Sequence, residues 1–168
     1  RGSRTTCFRR NIVIVKPICS ATQIIEEENK SKSVNSAVTL YNIGLIHQEG
    51  NNLIRASQLF SMALCILPQV SYPSLTALIL YSSAQILYQA GDFKRATHDI
   101  CKSIQEYSRA AMSSTSHLGD SVELNLASTI ALLGRIHFEE KNCHRAVELC
   151  QEVLRIRCSV LGDHHIHP

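Results

Sequence analysis

The sequence predicts an all-α fold built as a stack of three helix–turn–helix pairs. Within Ala37–Pro68, small, aromatic and helix-breaking residues stand at fixed intervals. Counted with Ala37 as position 1, they are Gly44 at 8, Ala56 at 20, Phe60 at 24, Ala63 at 27 and Pro68 at 32. Small residues at 8 and 20 let two helices lie close together, and proline ends the second helix. Composition agrees, since 45% of the residues are hydrophobic and no strand-like alternation between hairpin signals follows residue 20.

The same pattern recurs twice further along the chain. A second copy starts at Ala77 and has Ala84 at position 8, and a third starts at Ala127 and has Gly134 there. At positions 24, 27 and 32 the later copies carry Ile100, Ser103 and Ser108, then Cys150, Val153 and Cys158. Three copies in register indicate an array of packed helix pairs, because each pair can bury its apolar face only against a neighbour.

This arrangement resembles the tetratricopeptide repeat (TPR), a helix pair with a period near 34 residues. Position 20 recurs after 40 and then 50 residues, and Leu154–His165 reads as a basic helix end followed by Leu-Gly, Asp and His. Both features resemble the long-repeat subtype of kinesin light chains. The resemblance covers about residues 36–167 and implies a right-handed α-solenoid of three pairs. It also implies a protein-binding scaffold, and the chain is expected to be a fragment of a larger multi-repeat protein.

Two domains are predicted. Residues 1–35 form a basic, partly disordered amino-terminal tail or linker, and residues 36–168 form the repeat domain. The repeats are expected at about 37–68, 77–108 and 127–160. The Ser/Thr-rich stretch Met112–Gly119 is expected to be a surface loop between the second and third repeats.

The first 16 residues carry five positive charges and no negative charge. The formal net charge of the chain is +3, so the remainder carries 3 − 5 = −2. Three interpretations stay open for this segment, namely a tail or linker, an organellar targeting segment, and a patch that docks on nucleic acid or an anionic membrane. Nucleic acid is the least favoured partner, because no aromatic residues are interleaved with the charges.

Seven cysteines are widely spaced and form no Cys-x-x-Cys pair. An odd number at wide spacing predicts reduced thiols and a cytoplasmic location, with organellar targeting left open. Four of them are expected at packing positions on second helices, where cysteine behaves as a small hydrophobic residue. These are Cys65, Cys101, Cys150 and Cys158.

The histidines and carboxylates predict neither a metal site nor an enzyme. His164, His165 and His167 lie in the predicted link, and His47 and His137 at position 11 are expected to be partly buried. A zinc site needs about four converging ligands, which no spacing here supplies. Because the chain also lacks a nucleophile elbow, a phosphate loop and a dinucleotide fingerprint, we expect no catalysis and no cofactor. No apolar run is long enough to span a membrane.

The resemblance implies that the first helix of each pair lines a concave groove through positions 2, 5, 6, 9, 12 and 13. The predicted peptide-binding residues are Tyr41, Asn42, Leu45, Gln48, Glu49, Tyr81, Gln85, Tyr88, Arg135 and Phe138. Asn42 matches the family's position-6 asparagine, whose amide can both donate to and accept from a peptide backbone. The matching places hold Ser82 and Leu132, so one such clamp of three is present.

The expected partner is a protein or peptide segment, neutral to mildly basic because Glu49 and Glu139 lie on the predicted groove. The alternative is a structural role, in which the stack associates with itself through uncapped repeat ends or forms a spacer section of a large complex.

Overall fold

The computed structural model describes residues 31–67, 72–113 and 119–162. These residues form six helices and no strand. The helices are α1 (residues 31–49), α2 (Leu53–Ile66), α3 (Pro73–Gln89), α4 (Phe93–Ser113), α5 (Gly119–Glu139) and α6 (Cys143–Leu161). They pair in chain order as α1 with α2, α3 with α4 and α5 with α6, which confirms the predicted all-α solenoid of three helix–turn–helix pairs.

One tight turn joins the two helices of every pair. The N–H at position 16 donates to the carbonyl at position 11, from Asn52 to His47 at 2.8 Å, Asp92 to Leu87 at 2.9 Å and Asn142 to His137 at 2.8 Å. The residue at position 15 has a positive φ, 58° at Asn51, 76° at Gly91 and 62° at Lys141. A left-handed residue at this point closes a helix by satisfying its last carbonyls.

The residue at position 16 also begins the second helix of each pair. Its side-chain oxygen accepts from the backbone N–H of the arginine at position 19, in Asn52 with Arg55, Asp92 with Arg95 and Asn142 with Arg145. The accepting side chain satisfies one of the free N–H groups in the first helical turn. A single polar residue therefore ends one helix and caps the next.

The first helices of neighbouring pairs touch, whereas the second helices are separated. Helix α3 contacts α5, and side chains of α1 bond to α3. A cleft of about 440 Å³ lies between α2 and α4 with Leu80 of α3 at its floor, and one of about 510 Å³ lies between α4 and α6. The first helices α1, α3 and α5 therefore form the inner, concave side of the described stack.

Each later pair inserts its first helix into the groove of the pair before it. Positions 3, 6 and 10 of the inserted helix are buried, as Ile79, Ser82 and Ile86 in α3 and as Thr129, Leu132 and Ile136 in α5. The groove floor is made by positions 8, 20 and 24. In the first pair these are Gly44, Ala56 and Phe60, and in the second pair Ala84, Ala96 and Ile100.

Several predictions of local structure need correction. Helix α1 already includes residues 31–35, which the sequence placed in the tail, and α4 continues through Ser113 into the predicted loop. Cys65, Cys101 and Cys150 are exposed instead of packed, because no described helix covers them. The basic segment 1–16 and the cluster His164–His167 lie outside the described residues.

Candidate functional site

A row of polar side chains crosses the concave side from α1 to α3. Gln48 Nε2 donates to Gln85 Oε1 at 3.3 Å, and Gln85 Nε2 donates to the hydroxyl of Tyr81 at 3.0 Å. The repeat register explains the contact, because Gln48 at position 12 faces position 9 of the next pair. Two amides on one surface provide both donors and acceptors for a peptide backbone.

Position 12 also meets position 9 between α3 and α5, but the residue types differ from those between α1 and α3. The Arg135 guanidinium carbon lies 4.7 Å from the ring centre of Tyr88, so position 9 again meets position 12 of the pair before it. The Tyr88 hydroxyl donates to Glu139 Oε1 at 3.2 Å. A cation over an aromatic face is attracted by the ring quadrupole, so this contact orders the ring and the guanidinium together.

The predicted binding residues fall into three groups. The exposed members are Asn42, Glu49, Arg135 and Phe138, and the half-buried members are Leu45, Gln48, Tyr81, Gln85 and Tyr88. The buried member is Tyr41, which is 8% exposed. Nine of the ten side chains thus keep some surface open to solvent.

Tyr41 corrects the prediction that position 5 presents its ring to the groove. Its ring centre lies 5.6 Å from that of Phe60, and its hydroxyl lies 3.3 Å from Ser82 Oγ. Burial raises the pKa of the Tyr41 phenol. Because Gly44 leaves room for the large ring of Phe60, Tyr41 turns inward to cover that ring. It joins the first pair to the second and is closed to a ligand.

A second open surface continues from the concave face around the edge of α5. It is a cleft of about 560 Å³ between α5 and α6, reached past Tyr88, Arg135 and Phe138. Its other lining residues are Gly134, Glu139, Cys143, Ala146, Val147, Cys150, Gln151 and Leu154. This surface was not predicted from the sequence, although the apolar residues on the second helix of the third repeat could have indicated it.

The described residues contain no group of three or more His, Cys, Asp or Glu side chains placed to hold a metal ion. None of the helices in the described part of the chain is long and apolar enough to cross a membrane. The half-buried His137 lies against the carboxylate of Glu140 at 3.4 Å, on the surface of its own helix.

Residues 126–167 match the family model described as Tetratricopeptide repeat. The matched range includes most of α5 and all of α6, so it falls on the third helix pair. It supports a TPR-type repeat protein, in agreement with the helical stack. A search of curated proteins found no match to this chain.

Proposed function

We propose that this chain is a protein-binding scaffold that holds a peptide segment of a partner on the concave side formed by α1, α3 and α5. The observation that carries the proposal is the pair of side-chain contacts between neighbouring first helices, Gln48 with Gln85 and Tyr88 with Arg135. TPR-type repeats generally mediate contacts between proteins, and the family match is to this type of repeat.

The chemistry of the row favours an extended, neutral to mildly basic ligand. Gln48, Gln85 and Asn42 provide amides for backbone groups, and half-buried aromatic rings are the residues on which binding energy concentrates. Glu49 is exposed, while the charge of Glu139 is partly engaged by Tyr88. The surface therefore offers carboxylates at its edge to a lysine or arginine of the ligand.

The proposal also includes the subtype of the repeat and the cellular compartment of the protein. We place the chain with the kinesin-light-chain-like long-repeat subtype, because position 20 recurs after 40 and then 50 residues. The five cysteines of the described residues are free thiols, which supports a reducing, cytoplasmic compartment. The protein acts by binding and carries out no chemical step.

Selection from a random peptide library tests the peptide groove. Peptides that bind the wild-type chain are measured against the double variant Tyr88→Ala, Arg135→Ala and against the single variant Asn42→Ala. Each truncated contact is worth about 1–3 kcal/mol at such sites, so affinity should fall roughly 10-fold or more in the double variant. Circular dichroism verifies that helix content is unchanged.

The matched control is the double variant Lys94→Ala, Lys102→Ala, which removes two exposed side chains of α4 on the convex side. It should bind the selected peptides as the wild type does. Failure to select any peptide, or equal binding by the concave and convex variants, would contradict the groove.

A second role is favoured by a separate observation. Large apolar side chains are exposed at both ends of the described stack, with Ile46 on α1 and Phe138 and Leu154 beside the cleft of α5 and α6. A stack with such ends can serve as a section of an assembly of identical chains.

A further inference from the structure

Helix α1 exposes the residues that its counterparts bury. Positions 3, 6 and 10 insert into the preceding pair in both α3 and α5, where position 10 is Ile86 or Ile136. In α1 the residue at position 10 is Ile46, which is 68% exposed. The first described helix therefore has an insertion face that no described residue covers.

The third pair exposes the groove that this face would fill. In the first two pairs the floor at positions 8, 20 and 24 is covered by the next helix. In the third pair those positions are Gly134, Ala146 and Cys150, and they line the open cleft between α5 and α6. Phe138 at its rim is 66% exposed. The groove is thus of the same kind as two that are occupied inside the chain.

The register of the internal interfaces fixes which residues would meet. Position 12 faces position 9 of the next pair, as Gln48 does with Gln85 and Tyr88 with Arg135. Applied to a second copy, the same register sets Phe138 of one chain against Leu45 of the other. This pair is aromatic on aliphatic, and such contacts are favourable when they are removed from water.

We propose that two copies of this chain associate head to tail, with α1 of one copy lying in the α5–α6 cleft of the other. Ile46 then packs on Ala146 and Cys150, as Ile136 shares a cluster with Ala96 and Ile100 inside the chain. The inference rests on the second role proposed above. Leu45 and Phe138 also belong to the predicted peptide groove, whereas Ile46 does not.

Such an interface joins two different surfaces, so a dimer keeps a free groove on one chain and a free α1 face on the other. Repetition of a head-to-tail contact gives an open filament or a closed ring. Asn42 occupies position 6 of α1, where α5 has Leu132. The contact between copies is therefore less apolar than the contact of α5 with the second pair. We expect reversible, concentration-dependent association.

Sedimentation velocity on the full chain tests the contact. The wild type should gain mass with concentration, and Ile46→Glu and Phe138→Glu should each remain monomeric with unchanged helix content. Ile54→Glu is the matched control. Ile54 is 78% exposed at position 18, which is also exposed as Lys94 and His144 in the other pairs, so this variant should associate like the wild type.

Mixing the two monomeric variants gives the sharpest result. Ile46→Glu retains an intact cleft and Phe138→Glu retains an intact α1 face, so an equimolar mixture should form a dimer that cannot extend. A mixture that stays monomeric overturns the head-to-tail contact, because a symmetric interface or a different surface must then explain the wild-type association.

A cysteine cross-link provides a second readout. Under mild oxidation, Ile46→Cys should give covalent oligomers through a disulfide with Cys150, identified by mass spectrometry, and adding Cys150→Ser should abolish that link. A wild-type chain that stays monomeric at all concentrations contradicts the assembly of identical chains. If the chain associates but the cross-link does not form, the assembly stands and the proposed packing of Ile46 on Cys150 is wrong.

Discussion

The ring of Phe60 lies directly against the backbone of Gly44. A β-carbon built on Gly44 would be 2.4 Å from Phe60 Cε1 and 2.8 Å from Cδ1, closer than non-bonded carbon atoms approach. At the matching place in the third pair, a β-carbon on Gly134 would lie 3.5 Å from the Cβ of Leu149, an ordinary contact. The two glycines occupy the same repeat position, but only the first is required by packing.

We therefore predict opposite effects of alanine at the two glycines. Gly44→Ala forces the buried ring of Phe60 to move and should destabilise the fold by about 1–3 kcal/mol. Gly134→Ala adds a methyl group that makes only ordinary van der Waals contacts within a helix, and it should stabilise the fold by up to about 1 kcal/mol. Urea unfolding of both variants measures the difference. Equal effects would mean that Phe60 adapts at no cost.

The left-handed turn residue of the third pair offers a stabilising substitution. Lys141 has a φ of 62°, a conformation that a side chain disfavours and glycine accepts. Lys141→Gly should raise stability by about 1 kcal/mol, measured as a higher Tm. Lys102→Gly, at an exposed position in the middle of α4, is the matched control and should lower stability by a similar amount because glycine weakens a helix. A fall in Tm for both would contradict the turn geometry.

The hydroxyl of Tyr107 is buried and has no hydrogen-bond partner among the residues that the structure describes. Removing an unpaired buried hydroxyl removes its desolvation cost, so Tyr107→Phe should leave stability unchanged or raise it by up to about 1 kcal/mol. Tyr41→Phe deletes a hydroxyl that lies 3.3 Å from Ser82 Oγ and should cost about 0.5–1.5 kcal/mol. Chemical denaturation of both variants tests this difference. A larger loss of stability for Tyr107→Phe than for Tyr41→Phe would contradict the prediction.

The same tyrosine gives a pH dependence. Burial raises the pKa of Tyr107 above its ordinary value near 10. Above that pH the unfolded chain loses this proton and the folded chain keeps it, so the free energy of unfolding should fall as pH rises. Below pH 10 both states hold the proton and the group has no effect. The fall between pH 9 and 11 should be shallower in Tyr107→Phe than in the wild type, as measured by urea unfolding at each pH, and parallel curves would show that Tyr107 does not contribute.

Much of the fold follows from the sequence because its signals are local. The small residues at positions 8 and 20 of each pair lie 12 residues apart and are recognised from their spacing alone. The turn at Lys141 has no glycine and was not recognisable by composition, although its hydrogen bonds match those of the other two turns. Helix ends were less predictable, as the extension of α4 through Ser113 shows.

The candidate site is less predictable than the fold. Tyr41 and Tyr81 occupy the same repeat position, but Tyr41 is closed by Phe60 while Tyr81 keeps part of its surface open and accepts from Gln85. Which tyrosine is accessible depends on the residue at position 24 of the same pair and on the next pair along. Neither factor can be read from a position number.

By itself, the sequence determined the number of helix pairs and their order, because residue periodicity is a property of short segments. Only the tertiary structure decided which side chains are free. It buried Tyr41, joined Gln48 to Gln85 and opened the cleft beside Phe138. The physical reason is that exposure in a stack is set by the neighbouring pair, which lies 40 or 50 residues away along the chain.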